Sequence, residues 1–154
     1  MMTHGYGQLF SNQDQIQPRV FELSQYLAGE LSVSTWIGQV SQPTKVAYHS
    51  ACHGRVLGLS GEQLSLISSI KGVEVLLPAD AEQCCGFGGA FSVTQGHLSS
   101  AIGLEKLRRV AETGATEILS GDMGCLIHLK GLIAKHSYPL TARHYVQLLA
   151  ETIQ

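Results

Sequence analysis

Gln83-Cys-Cys-Gly-Phe-Gly-Gly-Ala-Phe-Ser92 holds two of the chain's four cysteines side by side and follows them with Gly86, Gly88 and Gly89. Neighbouring cysteines are poorly placed to bond to one another, because neither their separation nor their directions suit a relaxed disulfide. Their thiols are therefore directed to a metal or another partner. The glycines leave backbone amides free to approach whatever the sulfurs hold, an arrangement suited to an anionic, electron-rich centre. The stretch also sits just after Val73 to Leu77, an apolar run closed by Pro78, so it reads as the loop leaving a buried strand.

Working outward, the same alternation recurs. Lys45 to Ala51 reads as a short strand delivering Cys52 and His53 at its carboxyl end, and Gly61 to Ile70 as a helix that Gly72 stops. Beyond the cysteine loop, His97 to Ala111 carries helical apolar spacing up to Gly114, and Thr116 to Leu119 reads as a third strand. Ser120-Gly-Asp-Met-Gly-Cys125 then turns into a helix running to about Ala134. A strand near Tyr138 to Ala142 and a helix over Arg143 to Thr152 close the chain. Before all of this, residues 1–14 read as a loose polar arm, and Ile16 to Leu31 as an amphipathic helix with Pro18 in its first turn. Strands alternating with helices predict an α/β fold: a parallel, Rossmann-like sheet of about four strands with helices on both faces. Right-handed crossovers then put the three cysteine-bearing loops at the carboxyl edge of the sheet, so that Cys52, Cys84, Cys85 and Cys125 converge.

The composition bounds the function. The 154 residues suit one core, with 44% apolar and only 14% charged residues and a net charge of -2. A surface so poor in charge suits extensive docking to a partner. Ten Lys and Arg against twelve acids, with no aromatic and basic stripe, exclude a nucleic-acid binder, and Lys106, Arg108 and Arg109 read as a solvated helix face. No apolar run is long enough to span a bilayer, and the first residues lack the pattern of a signal peptide, so a soluble, cytoplasmic protein is expected. In a reducing compartment the four cysteines read as ligands or redox groups.

Four thiolates at one cleft suit an iron-sulfur centre or zinc, or serve without metal. Vicinal cysteines favour the multi-iron centre, because neighbouring sulfurs can reach different metals. Cys125 opens a helix, where free amides and the helix dipole favour a thiolate. Asp122 is a helix cap, an oxygen ligand or a base near the site, with capping the plainer reading. His53 is a hydrogen-bond donor to sulfur or a ligand, whereas His49 and His128 read as ordinary packed histidines. Gly86 to Gly89 lacks the full dinucleotide-binding fingerprint, and Phe87 and Phe91 read as packing or shielding residues.

Tyr48-His-Ser-Ala-Cys-His-Gly-Arg55, Cys84-Cys-Gly-Phe-Gly-Gly-Ala-Phe-Ser-Val93 and Gly121-Asp-Met-Gly-Cys-Leu-Ile-His128 together resemble the cysteine-rich CCG domain. That domain occurs in the heterodisulfide reductases, in the iron-sulfur component of glycolate oxidase and, most similar here, in the lactate utilization protein A family. The resemblance covers nearly the whole chain. It implies one CCG domain over residues 15–154, the second of two tandem copies whose first is missing. It further implies that Cys52, Cys84, Cys85 and Cys125 bind an iron-sulfur cluster, of 4Fe-4S type, with Asp122 or His53 as a further candidate. Asp122 stands where the heterodisulfide branch has a fifth cysteine.

The function so implied is electron transfer within a multi-subunit oxidation of L-lactate, or of glycolate. Its partners would be a ferredoxin-like iron-sulfur protein and a flavoprotein, and the chain would perform no bond-making chemistry of its own. Two other classes stand beside it: a zinc-stabilised or metal-free interaction module, and a thiol-disulfide carrier.

Overall fold

A computed structural model describes residues 20–59 and 61–153. The expected polar arm and the start of the first expected helix, with Pro18, lie outside the described residues. Those residues fall into two compact units, one ending at Val33 and the other beginning at Ser34. In the first, the expected helix is a short one, α1 (Leu23–Gln25), continued by a π-helical turn over Tyr26–Glu30. Glu22 caps it, accepting from the Ser24 amide at 2.8 Å.

The second unit is an α/β layer structure. Its four strands are β1 (Gln39–Tyr48), β2 (Lys71–Leu76), β3 (Glu117–Ser120) and β4 (Thr141–His144). They form one all-parallel sheet in the order β2-β1-β3-β4. The helices are α2 (Cys52–Val56), α3 (Glu62–Ser68), α4 (Ala90–Thr94), α5 (Gly96–Glu112), α6 (Met123–His136) and α7 (Tyr145–Glu151). α5 packs on α6 and α3 on α7. Right-handed crossovers in this strand order put the first pair on one face and the second on the other. The buried cluster joining the sheet to α5 and α6 contains Ala47, Leu107, Val110, Ile118, Leu126 and Leu129, and both Cys85 and Cys125 belong to it.

The strand order places a reversal between β1 and β3: the chain leaves β1 towards β2 on one side, then crosses to β3 on the other. In such sheets the crevice outside the carboxyl ends at this switch point is the usual ligand position. The register continues past the strand itself, since the His49 amide donates to the Leu119 carbonyl at 2.8 Å. Ser120 Oγ donates to the His49 carbonyl at 3.0 Å. These two bonds fix the end of β1 against the end of β3.

Several boundaries differ from the sequence reading, each for a physical reason. β1 starts at Gln39, well before Lys45, because its first half pairs with β2 alone and tolerates Pro43 where the register shifts between Gln39 and Thr44. Gly72 does not stop the preceding helix but lies inside β2, with φ 88°. Cys52 does not lie in an open loop; it opens the short helix α2. β4 begins at Thr141, because Ser137, with φ 52°, closes α6 and the Tyr138 amide still bonds the Ile133 carbonyl. No helix among the described residues is long and apolar enough to cross a membrane.

Candidate metal centre at the carboxyl edge of the sheet

Cys125 reaches the site from the first turn of α6. Asp122 is the cap of that helix, its Oδ1 accepting from the Cys125 amide at 2.9 Å. Cys85 arrives from the loop after β2, and its Sγ lies 2.8 Å from Cys125 Sγ. Both are buried, at 1% and 5% exposure, and neither is in a disulfide. His49, at the end of β1, completes a compact group: a ring nitrogen and the two sulfurs all lie within 4.8 Å of one another. The His49 side chain is buried, and neither ring nitrogen has a hydrogen-bond partner among the described residues.

The electrostatics of the pair follow from two sulfurs sharing a proton. Cys85 is held well below the usual thiol range, at about 4, chiefly by the hydrogen bond with Cys125; burial opposes this, and the His49 ring and the Phe87 amide reinforce it. Cys125 is pushed far upward by the same hydrogen bond, by burial and by the nearby Asp122 charge. The shared hydrogen bond and the burial of both sulfurs thus favour a single negative charge on the pair. At the start of α6 a carboxylate opposes the thiolate expected at Cys125. Its amide is occupied by Asp122, and the adjacent carboxylate opposes a second negative charge.

The glycine-rich loop does supply amides to sulfur. Phe87 N–H donates to Cys85 Sγ at 3.4 Å and Gly86 N–H to Cys84 Sγ at 3.3 Å. Gly86 has φ 91°, and a Cβ there would lie 2.3 Å from the Ser99 carbonyl oxygen. Only glycine lets the loop come this close to α5. Phe87 lies over Gly124, and its ring is 6.2 Å from that of His128. The buried Nε2 of His128 lacks a hydrogen-bond partner among the described residues.

Of the residues singled out from sequence, the structure gathers Cys85 and Cys125. Cys52 and Cys84 are exposed and stand outside the compact group, as does the exposed His53. His49, read from sequence as an ordinary packed residue, is the one added. The available signal was its place directly after the last residue of the central strand, at the switch point, but that signal needs the strand order.

Lys106 corrects the sequence reading outright. It does not belong to a solvated face: it is 1% exposed, and its ammonium donates to the Ala81 carbonyl at 2.8 Å. Helical spacing puts it on the buried side of α5 with Gly103, Leu107 and Val110, and the long side chain reaches past them to the cysteine loop. Arg108 does face solvent and pairs with Glu105 and Glu112.

The donors fit a bound metal. Two sulfurs and an imidazole form a soft-to-borderline set suited to zinc or an iron-sulfur centre, and two unpaired buried ring nitrogens ask for a partner. The chain is similar to lactate utilization protein A 1 of Bacillus mycoides (strain KBAB4), at 30% identity over 98% of this chain and 64% of the relative. It is likewise similar to lactate utilization protein A of Geobacillus kaustophilus (strain HTA426), at 33% identity over 95% of this chain and 61% of the relative. A third, from Geobacillus thermodenitrificans (strain NG80-2), is 36% identical over 85% of this chain and 54% of the relative. The chain thus spans less than two thirds of the length of these relatives. The family model of the CCG cysteine-rich domain matches residues 46–130, from inside β1 into α6 and across every cysteine. With more than half of its length so matched, the chain belongs to the family of CCG cysteine-rich domains.

Proposed function

We propose that this chain is the iron-sulfur electron-transfer component of a multi-protein system that oxidises lactate or a related 2-hydroxy acid. The observation that carries the reading is the buried group of Cys85, Cys125 and partnerless His49 at the switch point of the sheet. The relatives named lactate utilization protein A support the substrate class. Cys85 and Cys125 would hold the centre, with Cys52 from the start of α2 and Cys84 from the loop after β2 as its exposed ligands. When bound, such a centre supplies one-electron chemistry. The chain's own part is to present thiolates, to aim the Phe87 and Gly86 amides at sulfur, and to keep water from the buried side. Hydrogen bonds to sulfur and burial are what set a potential. The expected partners are a ferredoxin-like iron-sulfur protein and a flavoprotein, and four free thiols suit a cytoplasmic setting.

The test is purification under strict anaerobiosis, followed by iron, sulfide and zinc analysis and by EPR of the reduced protein. Iron and sulfide in matching amounts with a reduced-state signal support the proposal. Stoichiometric zinc without iron overturns it. That outcome would instead support the second reading, a zinc-stabilised interaction module, which the compactness of the two-sulfur, one-imidazole group favours.

A further inference from the structure

A buried imidazole is normally held by hydrogen bonds to its ring, because a polar group left unpaired in a core is costly. His49 departs from this: it is 1% exposed, and neither ring nitrogen has a hydrogen-bond partner among the described residues. Its backbone, by contrast, is fully engaged. The amide donates to the Leu119 carbonyl and the carbonyl accepts from Ser120 Oγ. The ring is therefore carried on a rigid base between the ends of β1 and β3, and one of its nitrogens lies within 4.8 Å of both Cys85 Sγ and Cys125 Sγ. Bonds of about 2.0–2.3 Å to one tetrahedral metal set such ligand atoms roughly 3.5–3.8 Å apart, so small side-chain shifts bring all three onto one ion. The two other candidates for a ligand besides cysteine are worse placed. Asp122 Oδ1 is spent on the Cys125 amide, and His53 is exposed and outside the compact group.

We propose that His49 is a metal ligand, so that the centre is a mixed nitrogen and sulfur site built on His49, Cys85 and Cys125 and is not held by cysteines alone. Exposed thiols or solvent complete it. The iron-sulfur form of the claim rests on the electron-transfer reading above, and the ligand assignment itself does not. An imidazole among the ligands of an iron-sulfur centre raises its potential over that of an all-cysteine one.

The test uses cobalt(II) as the probe, titrated anaerobically into the reduced, metal-free full chain of wild type, His49→Leu and His49→Cys. Wild type takes up cobalt with thiolate-to-metal charge-transfer absorption and the intense visible bands of a tetrahedral site. His49→Leu loses about a hundredfold in affinity. Its metal-free form nonetheless unfolds in urea at the wild-type midpoint or above, since an apolar side chain replaces an unpaired ring. His49→Cys restores binding and adds charge-transfer intensity from its new sulfur. Wild-type affinity and spectrum in His49→Leu overturn the proposal, as does a wild type that binds no cobalt. Should His49→Leu fail to fold, His49→Cys decides, and an unchanged spectrum there overturns the assignment.

On anaerobically loaded protein, pulsed EPR reads the same contact as nitrogen modulation from the imidazole, present in wild type and lost in His49→Leu. A loaded centre without that modulation overturns the His49 assignment and leaves the electron-transfer reading intact. Protein that takes up no iron ends that reading, and the cobalt titration still decides His49.

Discussion

Cys84 and Cys85 are neighbours in sequence and opposites in environment. Cys84 is exposed and takes an amide hydrogen bond from Gly86, whereas Cys85 is buried in the core cluster against Cys125 and His49. The same division separates Cys52, exposed at the start of α2, from Cys125, buried at the start of α6. The difference teaches how the site is built. One half is part of the hydrophobic core and is placed by the packing of the sheet and α6, and the other half is presented on the surface. A buried half is held rigidly in a dry setting, while an exposed half is open to solvent.

The sharpest way to break this comparison is to remove one sulfur from each half and measure metal content. On the proposed reading Cys125→Ser and Cys85→Ser should lose metal affinity by about two orders of magnitude or more, on the order of 3 kcal/mol, since each would delete a ligand that nothing nearby replaces. Cys52→Ser and Cys84→Ser should lose less, about tenfold. Equal losses from all four would show the exposed cysteines to be full ligands and the division to be a property of the metal-free chain alone.

Gly86→Ala tests whether the loop must touch α5 for the buried half to form. The positive φ and the Cβ contact with the Ser99 carbonyl should together destabilise the fold by about 2–4 kcal/mol, read as a lowered urea midpoint. A Gly89→Ala change should cost only the strain of its φ of 55°, because nothing lies within 4 Å of a Cβ there. Equal effects at the two positions would remove the close approach as an explanation.

The buried side of α5 gives a pH prediction. Burial lowers the Lys106 ammonium from its ordinary value to about 8 in the folded chain. Between that value and about 10.4, its value in an unfolded chain, the unfolded state binds more protons, so folding stability rises with pH through this window. Wild type should therefore gain on the order of 2 kcal/mol relative to Lys106→Met between about pH 7.5 and 9.5, measured by urea unfolding of the reduced, metal-free proteins. A constant difference across that range would show that Lys106 is not desolvated. The smallest effect belongs to the cap: Asp122→Ala should cost about 1 kcal/mol and Asp122→Asn much less, in thermal unfolding. Metal lost from Asp122→Asn without lost stability would instead mark the carboxylate as a ligand.

Much of the fold was legible because its signals are local. Val73 to Leu77 followed by Pro78, the helical spacing up to Gly114, and Asp122 ahead of Cys125 each carry their own physics, and β2, α5 and the α6 cap stand close to where they were expected. The parallel sheet followed from alternation alone. The failures are where a neighbour decides. Pro43 marks a break in sequence, yet the first half of β1 forms because β2 pairs with it. Lys106 has the composition of a surface residue, and only the buried side of α5 shows otherwise. His49 carries no motif that distinguishes it from the exposed His53 four residues later.

By itself, the sequence determined the alternating α/β order, the vicinal cysteines in a glycine loop and the cap on the Cys125 helix, because period, glycine and capping chemistry act within a few residues. Only the tertiary structure decided which thiols meet, that His49 joins them and that Lys106 lies buried against their loop. These depend on the strand order β2-β1-β3-β4 and on which side of α5 and α6 the sheet covers. The long-range packing that sets both leaves no mark at any single position of the chain.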